Sequence, residues 1–227
     1  MIPLRDTIPS RRVPVLTWIL IASNILVFLW QVFDPGSQKT MLSLALVPAR
    51  LFPHAHGGSA AHPALAPLVT SMFLHGSWFH LLGNMLFLFI FGDNVEDAFG
   101  PLPYLVFYLA SGVASAICQA LAAPASHTPV VGASGAIAGV LGAYFVLYPH
   151  ARIVTLIPIF IFFQIVEIPA FFFLLFWFLL QFASGAISLH TADAGGGGVA
   201  WWAHVGGFAV GLGVGILFRL VRSARGT

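Results

Sequence analysis

Charge is scarce in this chain of 227 residues, since Asp, Glu, Lys and Arg together make up only 7% of it. Soluble domains carry about 25% charged residues, so the composition excludes an ordinary soluble protein. Nine basic residues scattered among so many apolar ones cannot form a groove that follows a phosphate backbone, which excludes nucleic acid as a partner. The hydrophobic fraction of 59% and the 23 glycines instead indicate one polytopic helical membrane domain, because glycine lets helices pack closely in lipid.

Cysteine is nearly absent as well. Cys118 is the single one and lies in an apolar run, so a disulfide framework is excluded and a small core residue is the favoured interpretation of this thiol. His54, His56 and His62 cluster in one loop without a neighbouring carboxylate or thiol. We interpret them as solvated histidines rather than metal ligands, and we expect no metal and no cofactor.

Six apolar runs predict an all-α membrane protein with six transmembrane helices and a long first outer loop. A bilayer is crossed by about 20 apolar residues, and the first run has no signal-peptide cleavage pattern, so we expect an uncleaved span there. The predicted spans are 15–33, 71–92, 101–122, 134–148, 168–189 and 199–218. Residues 93–100 are interpreted as a turn in which Glu96 has a structural role, and 150–167 as an interfacial loop or short hairpin. The predicted division is a cytosolic segment 1–14, a six-span domain 15–221 and a cytosolic tail 222–227.

The distribution of basic residues predicts the orientation. Six spans put both termini on one side of the membrane, and seven of the nine Lys and Arg residues then lie on that side, with only Lys39 and Arg50 opposite. Cytosolic loops carry the excess of basic residues. We therefore expect cytosolic termini, with Ser134 and His204 toward the outer side.

Ser134 begins the shortest apolar run and is flanked by Gly132 and Gly135, which allow backbone to approach its hydroxyl. Because the fourth span is too short to cross the bilayer, its N-terminus is expected below the outer surface. His204 lies one turn ahead of a glycine stripe in the sixth span. The small residues expected to pack together are Ser134, Ala138 and Gly142 on one helix and Gly207, Gly211 and Gly215 on the other. This packing would let the serine and the histidine meet.

A serine hydroxyl needs a base to become a nucleophile, and a neutral imidazole suits that role. Only seven acidic residues are present and none is predicted in an ordered position near both helices, so a Ser134–His204 dyad is favoured over a triad. His80 and Asn84 share one face of the second span, where helix–helix contact and function are equally good explanations. With the backbone N–H of Gly135, they could stabilise an oxyanion.

Four separated motifs resemble the rhomboid intramembrane serine proteases. They are FLHGSWFHLLGNM at 73–85, NVEDAFG at 94–100, GASG at 132–135 and AHVGG at 203–207, and the N-terminal MIPLRD…RRVP is similar to bacterial members. The resemblance implies a nucleophile at Ser134, a base at His204, oxyanion stabilisation by His80 and Asn84, and cleavage of single-pass membrane proteins near their outer end. It implies a bacterial cytoplasmic membrane as the location. The natural substrate, the oligomeric state and the gate are left open.

Two family features are missing. Ala138 stands where some members carry a tyrosine that stacks on the catalytic histidine, so His204 would need another partner such as Trp201 or Trp202. A Trp-Arg pair of the first loop is absent from the region before Thr70. The alternatives are a catalytically silent, client-binding relative, which should lack the serine or histidine, and a channel or transporter, which should show internal repeats.

Overall fold

The fold is described from a computed structural model, which covers residues 1–51, 65–190 and 199–224 and the side chains of these ranges except 189–190. His54, His56 and His62 lie outside the described residues, as does Asp193.

The architecture is mostly helical. Within the described ranges, five helices are long and apolar enough to cross a membrane, and a sixth apolar helix is shorter, with 14 residues. The five long helices are α1 (Val15–Phe33), α5 (Trp78–Phe99), α6 (Pro101–Ala122), α8 (Ala170–His190) and α9 (Trp201–Ala224), and the short one is α7 (Ser134–Leu147). The loop between α1 and α5, named the first loop, contains α2 (Ser37–Leu44), α3 (Pro48–Leu51), α4 (Pro67–Thr70) and a 3-10 turn (Ser71–Phe73).

The predicted bounds of the first and third spans are confirmed to the residue, but the predicted turn at 93–100 is wrong. The second span begins only at Trp78, where the Ser77 hydroxyl accepts a hydrogen bond from the His80 N–H, and it continues as helix to Phe99. The chain turns at Gly100, whose φ of 83° favours glycine. The loss of apolar residues after position 92 therefore marks the end of the membrane core and not the end of the helix.

A small antiparallel sheet lies at the end of the bundle that holds the N-terminal segment and the last turn of α9. It contains β1 (Ile2–Asp6), β2 (Arg152–Ile159) and β3 (Phe162–Pro169), in the order β1-β2-β3. Residues 150–167 thus include a hairpin, which was one of the two predicted forms. The N-terminal strand was not predicted, because five residues with one proline give a weak strand signal.

Glu96 holds the first helix to the second. Its buried carboxylate accepts hydrogen bonds from the backbone N–H groups of Leu16 and Thr17, at 3.0 and 2.8 Å, and from the Thr17 hydroxyl at 2.8 Å. N–H groups in the first turn of a helix have no partner inside it. The predicted structural role of Glu96 is thus confirmed as a cap on α1.

Helix α7 is the centre of the bundle, and every residue from Gly135 to Tyr144 is buried. It packs most extensively against α9, where glycines bring the two backbones together. A Cβ added at Gly207 or Gly211 would collide with the carbonyl group of Gly135 or Gly139. The predicted glycine packing is therefore present. Ala138 and Gly142 face α9 as expected, since a Cβ added at Gly207 would lie 3.2 Å from the Ala138 Cβ and one added at Gly142 would collide with the Phe208 carbonyl, but the other close backbone contacts are at Gly135 and Gly139.

Candidate active site

Ser134 and His204 meet at the N-terminal ends of α7 and α9. The Ser134 Oγ and the His204 Nε2 are 2.8 Å apart, which is hydrogen-bond distance. His204 is only 7% exposed, whereas Ser134 is half-buried and so stays reachable from one side. The close α7–α9 packing described above brings these side chains together across 70 positions of sequence.

The other ring nitrogen of His204 contacts Gln181 of α8. The distance from Nδ1 to the Gln181 Oε1 is 2.7 Å, and Gln181 is 9% exposed. An amide oxygen can only accept a hydrogen bond. With Oε1 facing the ring, the Nδ1–H donates to Gln181, and Nε2 is left as an acceptor for the serine hydroxyl. This tautomer is the one that a general base requires.

Two tryptophans pack around the histidine. The Trp177 ring lies 5.9 Å from the His204 ring, with an angle of 35° between the planes, and Trp201 meets it edge-on at 6.2 Å. Trp202 instead packs against Phe182. Of the two partners suggested by the sequence, Trp201 is thus the one in contact, while the flatter packing of Trp177 was not expected.

His80 and Asn84 face the loop that leads into Ser134. A Cβ added at Gly132 would lie 2.7 Å from the His80 Nε2 and 3.5 Å from the Asn84 Nδ2, so both nitrogens lie against the backbone two residues before the serine. Gly132 has a φ of 123°, which side chains rarely tolerate. Its lack of a side chain therefore admits the two polar groups to the site.

A further histidine supports Asn84. The Asn84 Nδ2 donates to the Nε2 of buried His75 at 3.0 Å, and Gln31 of α1 binds the His75 backbone through both its N–H and its C=O. An amide NH₂ has two hydrogens, so one is used by His75 and the second remains for another acceptor. His80 packs edge-on against the His75 ring, with ring centres 5.1 Å apart.

The loop before Ser134 is fixed by backbone hydrogen bonds to the first loop. Val130 and Leu46 exchange two of them, at 2.7 and 3.1 Å, and the Gly132 N–H donates to the Ser71 carbonyl at 2.9 Å. These bonds hold the start of α7, where backbone N–H groups, including that of Gly135, point away from the helix.

All five residues expected from the sequence, namely Ser134, Gly135, His204, His80 and Asn84, lie in one region of the structure. Gln181 and His75 were not expected there. A polar side chain in an apolar run was the available signal for both. The arrangement supplies a nucleophile, a base and several hydrogen-bond donors, which suits acyl transfer.

A family model for the rhomboid domain matches residues 62–220. The chain belongs to the rhomboid family. The match covers well over half of the chain, and it includes all five residues predicted for the site.

Curated relatives carry the same family name. The human presenilin-associated rhomboid-like protein, mitochondrial, is 33% identical over 147 residues, which is 63% of this chain and 36% of the relative. Rhomboid protein 1, mitochondrial, of Saccharomyces cerevisiae is 35% identical over 94 residues, covering 40% of this chain and 27% of the relative. RHOMBOID-like protein 6, mitochondrial, of Arabidopsis thaliana is 42% identical over 76 residues, covering 34% of this chain and 24% of the relative. This rhomboid protein thus aligns with only about a third or less of each relative's length.

Proposed function

We propose that this membrane-embedded rhomboid protein is a serine endopeptidase that cleaves the transmembrane segments of single-pass membrane proteins. The observation that carries the proposal is the 2.8 Å contact between the Ser134 Oγ and the His204 Nε2. A buried histidine with one nitrogen on a serine and the other on a fixed acceptor is the arrangement of an activated nucleophile.

In the acylation step, Ser134 Oγ attacks the carbonyl carbon of the scissile peptide bond while its proton passes to His204 Nε2. The protonated imidazole then gives this proton to the departing amine. Gln181 keeps the ring in the required tautomer throughout, but its amide is uncharged. It therefore positions the base without the charge stabilisation that an aspartate supplies in a triad.

The negative charge that develops on the carbonyl oxygen needs donors. We assign this role to His80, to the free hydrogen of the Asn84 amide and to the Gly135 backbone N–H. Removal of one such donor typically lowers kcat by about 10²–10³. Water then attacks the acyl-enzyme with His204 again as base, and the site is regenerated without a metal or a cofactor.

The substrate must leave its helical form to reach Ser134, because a peptide carbonyl within a helix is already hydrogen-bonded and shielded. We therefore propose that preferred substrates carry weak helix formers near their outer end. Helix α8 is our candidate for the element that admits them, since it carries Gln181 next to the dyad and exposes Phe176 and Leu179 toward lipid.

For the orientation, we propose that the end with the sheet faces the cytosol and that the site opens to the outer side, in a bacterial cytoplasmic membrane. The positive-inside distribution supports this, with Arg5, Arg152 and Arg222 all at the sheet end. A cysteine-accessibility scan in intact cells, with single cysteines at Ser43 and Ser223, tests the orientation. Labelling of position 223 but not 43 from outside would contradict it.

Labelling and cleavage test the chemistry. Purified protein in detergent is treated with a fluorophosphonate probe and with a single-pass model substrate. We expect labelling and cleavage in the wild type and in the control Ser43→Ala, whose hydroxyl bonds only the local Thr40 carbonyl, and neither in Ser134→Ala or His204→Ala. Equal cleavage by wild type and Ser134→Ala would rule out the assignment. Substrate binding without labelling or cleavage in the wild type would favour the silent, client-binding alternative.

A further inference from the structure

A polar cavity lies at the opposite end of the bundle from the dyad. It has a volume of 520 Å³ and is enclosed by the last turns of α5 and α9, the end of α7 and the N-terminal segment before α1. Its polar lining comes from Arg11, Arg12, Arg222, Asn94, Asp97 and Tyr148. None of these residues takes part in the proposed proteolysis.

The cavity carries an excess of unpaired positive charge. In the described part of the chain, the guanidinium groups of Arg11, Arg12 and Arg222 form no ion pair with a carboxylate. The one acidic residue of the lining, Asp97, already accepts a hydrogen bond from the Arg11 backbone N–H. Arg219, which lies on α9 like Arg222, differs because its guanidinium donates a hydrogen bond to the Val146 carbonyl at 3.0 Å. Among the described residues, the three guanidinium groups around this cavity therefore lack a carboxylate partner and are available to bind an anion.

The remaining wall of the cavity is apolar and continues into the surface that faces lipid. Phe218 and Val221 of α9 line it together with Ile8 of the N-terminal segment. Beside them, Leu217 and Leu220 are 61% and 63% exposed, as expected for side chains covered by acyl chains. Arg222 follows directly, so the cavity lies where the hydrocarbon region ends and lipid headgroups begin.

We propose that this cavity binds the headgroup of an anionic phospholipid. Guanidinium groups bind phosphate oxygens with two parallel hydrogen bonds, and basic pockets between helix ends suit acidic lipid headgroups. The apolar wall formed by Phe218 and Val221 would contact the glycerol and upper acyl region of the lipid. A free phosphate ion has no apolar part that could make this contact. The site is independent of the proposed proteolysis and can be tested without a substrate.

Native mass spectrometry of the full-length protein in detergent measures how strongly phosphatidylglycerol is retained relative to phosphatidylcholine. Each arginine near an acidic headgroup favours binding by about fivefold, so Arg12→Gln/Arg222→Gln should lower the preference by about 25-fold. The matched control is Arg5→Gln/Arg152→Gln, which removes two arginines from the same end of the bundle but outside the cavity. An equal loss in both double variants would overturn the proposal, since it would reflect only net charge.

Further arms separate the possible ligands. Millimolar inorganic phosphate should leave the retained phosphatidylglycerol unchanged, and its displacement would assign the cavity to free phosphate instead. An acidic peptide that displaces the lipid at similar concentration would assign it to a protein segment. If the double variant does not fold, the wild type alone tests the proposal. Its preference for phosphatidylglycerol over phosphatidylcholine must fall as the salt concentration is raised. A wild-type preference that is absent or independent of salt would refute the lipid site.

Discussion

The glycine contact between α7 and α9 makes a testable link between packing and catalysis. A Cβ at Gly211 would lie 2.6 Å from the Gly139 carbonyl carbon and 2.9 Å from its Cα, and closer still to the carbonyl oxygen. Carbon atoms in good contact are about 3.5–4.0 Å apart. Since these neighbours are backbone atoms that cannot rotate away, Gly211→Ala should push the two helices apart by about 1 Å.

The consequences follow from this displacement. Overpacking of this kind costs about 1–3 kcal/mol of stability. Gly211 lies two turns from His204 on the same helix, so part of the shift reaches the dyad. If the 2.8 Å distance between His204 and Ser134 lengthens by the full displacement of about 1 Å, the contact is no longer a hydrogen bond. Misplacement of a reacting group by about 1 Å can lower the rate by about 10²-fold.

The assay compares Gly211→Ala with Gly213→Ala, a control on the same helix where an added Cβ has nothing within 4 Å. Thermal unfolding in detergent gives the stability, and single-turnover cleavage of a model substrate gives the rate. We expect Gly213→Ala to behave like the wild type. If Gly211→Ala had the stability and the cleavage rate of the wild type, the two helices would not be held at the distance inferred from their glycine contact. A variant that lost stability but kept the full rate would refute the link from packing to the dyad.

Three further changes test other parts of the structure. Gln181→Leu leaves the His204 Nδ1–H without its acceptor, which costs about 1–3 kcal/mol. We expect kcat to fall about 5- to 150-fold with KM unchanged, while the control Leu102→Ala on the exposed face of α6 stays active. Glu96→Gln weakens the cap on α1 and should lower stability in detergent by about 1–3 kcal/mol, whereas Glu167→Gln on the exposed sheet should not. Burial raises the pKa of Asp6, whose carboxylate accepts a hydrogen bond from Tyr144, so the wild type should lose stability as pH rises from 3.8 through the raised value. Asp6→Asn should make this slope smaller, and an unchanged slope would show that another group causes it.

The parts of the fold that the sequence predicted are those fixed by membrane physics. Spans 15–33 and 101–122 end where proline or polar residues end the apolar run, so composition alone gives their bounds. The extension of the second helix to Phe99 depends instead on partners distant in sequence. Glu96 binds α1, and Asn94 donates to the Ile8 carbonyl. Such contacts satisfy polar side chains on a helix that has already left the hydrocarbon region.

The candidate site was predictable because each polar side chain in lipid has a high cost and stands out against its apolar neighbours. The meeting of Ser134 and His204 followed from glycine spacing on two helices. The role of Gln181 did not follow, because its helix has no glycine stripe to show which face it turns toward α9. The orientation of α8 depends on side-chain packing, such as Phe178 against Phe208, and this cannot be deduced from hydropathy.

The depth of the site has one physical cause, which is the length of α7. A Cβ added at Gly135 would collide with the side chain of Ser115 in α6, so the start of α7 is level with Ser115. Because α6 continues from Ser115 to Ala122, Ser134 lies about 10 Å below that end of α6. The connecting loop must therefore descend into the bundle, and its backbone groups need partners there. Leu46 and Ser71 supply them. The first loop therefore brings irregular backbone and polar side chains below the level at which α6 ends, where the proposed hydrolysis would need water.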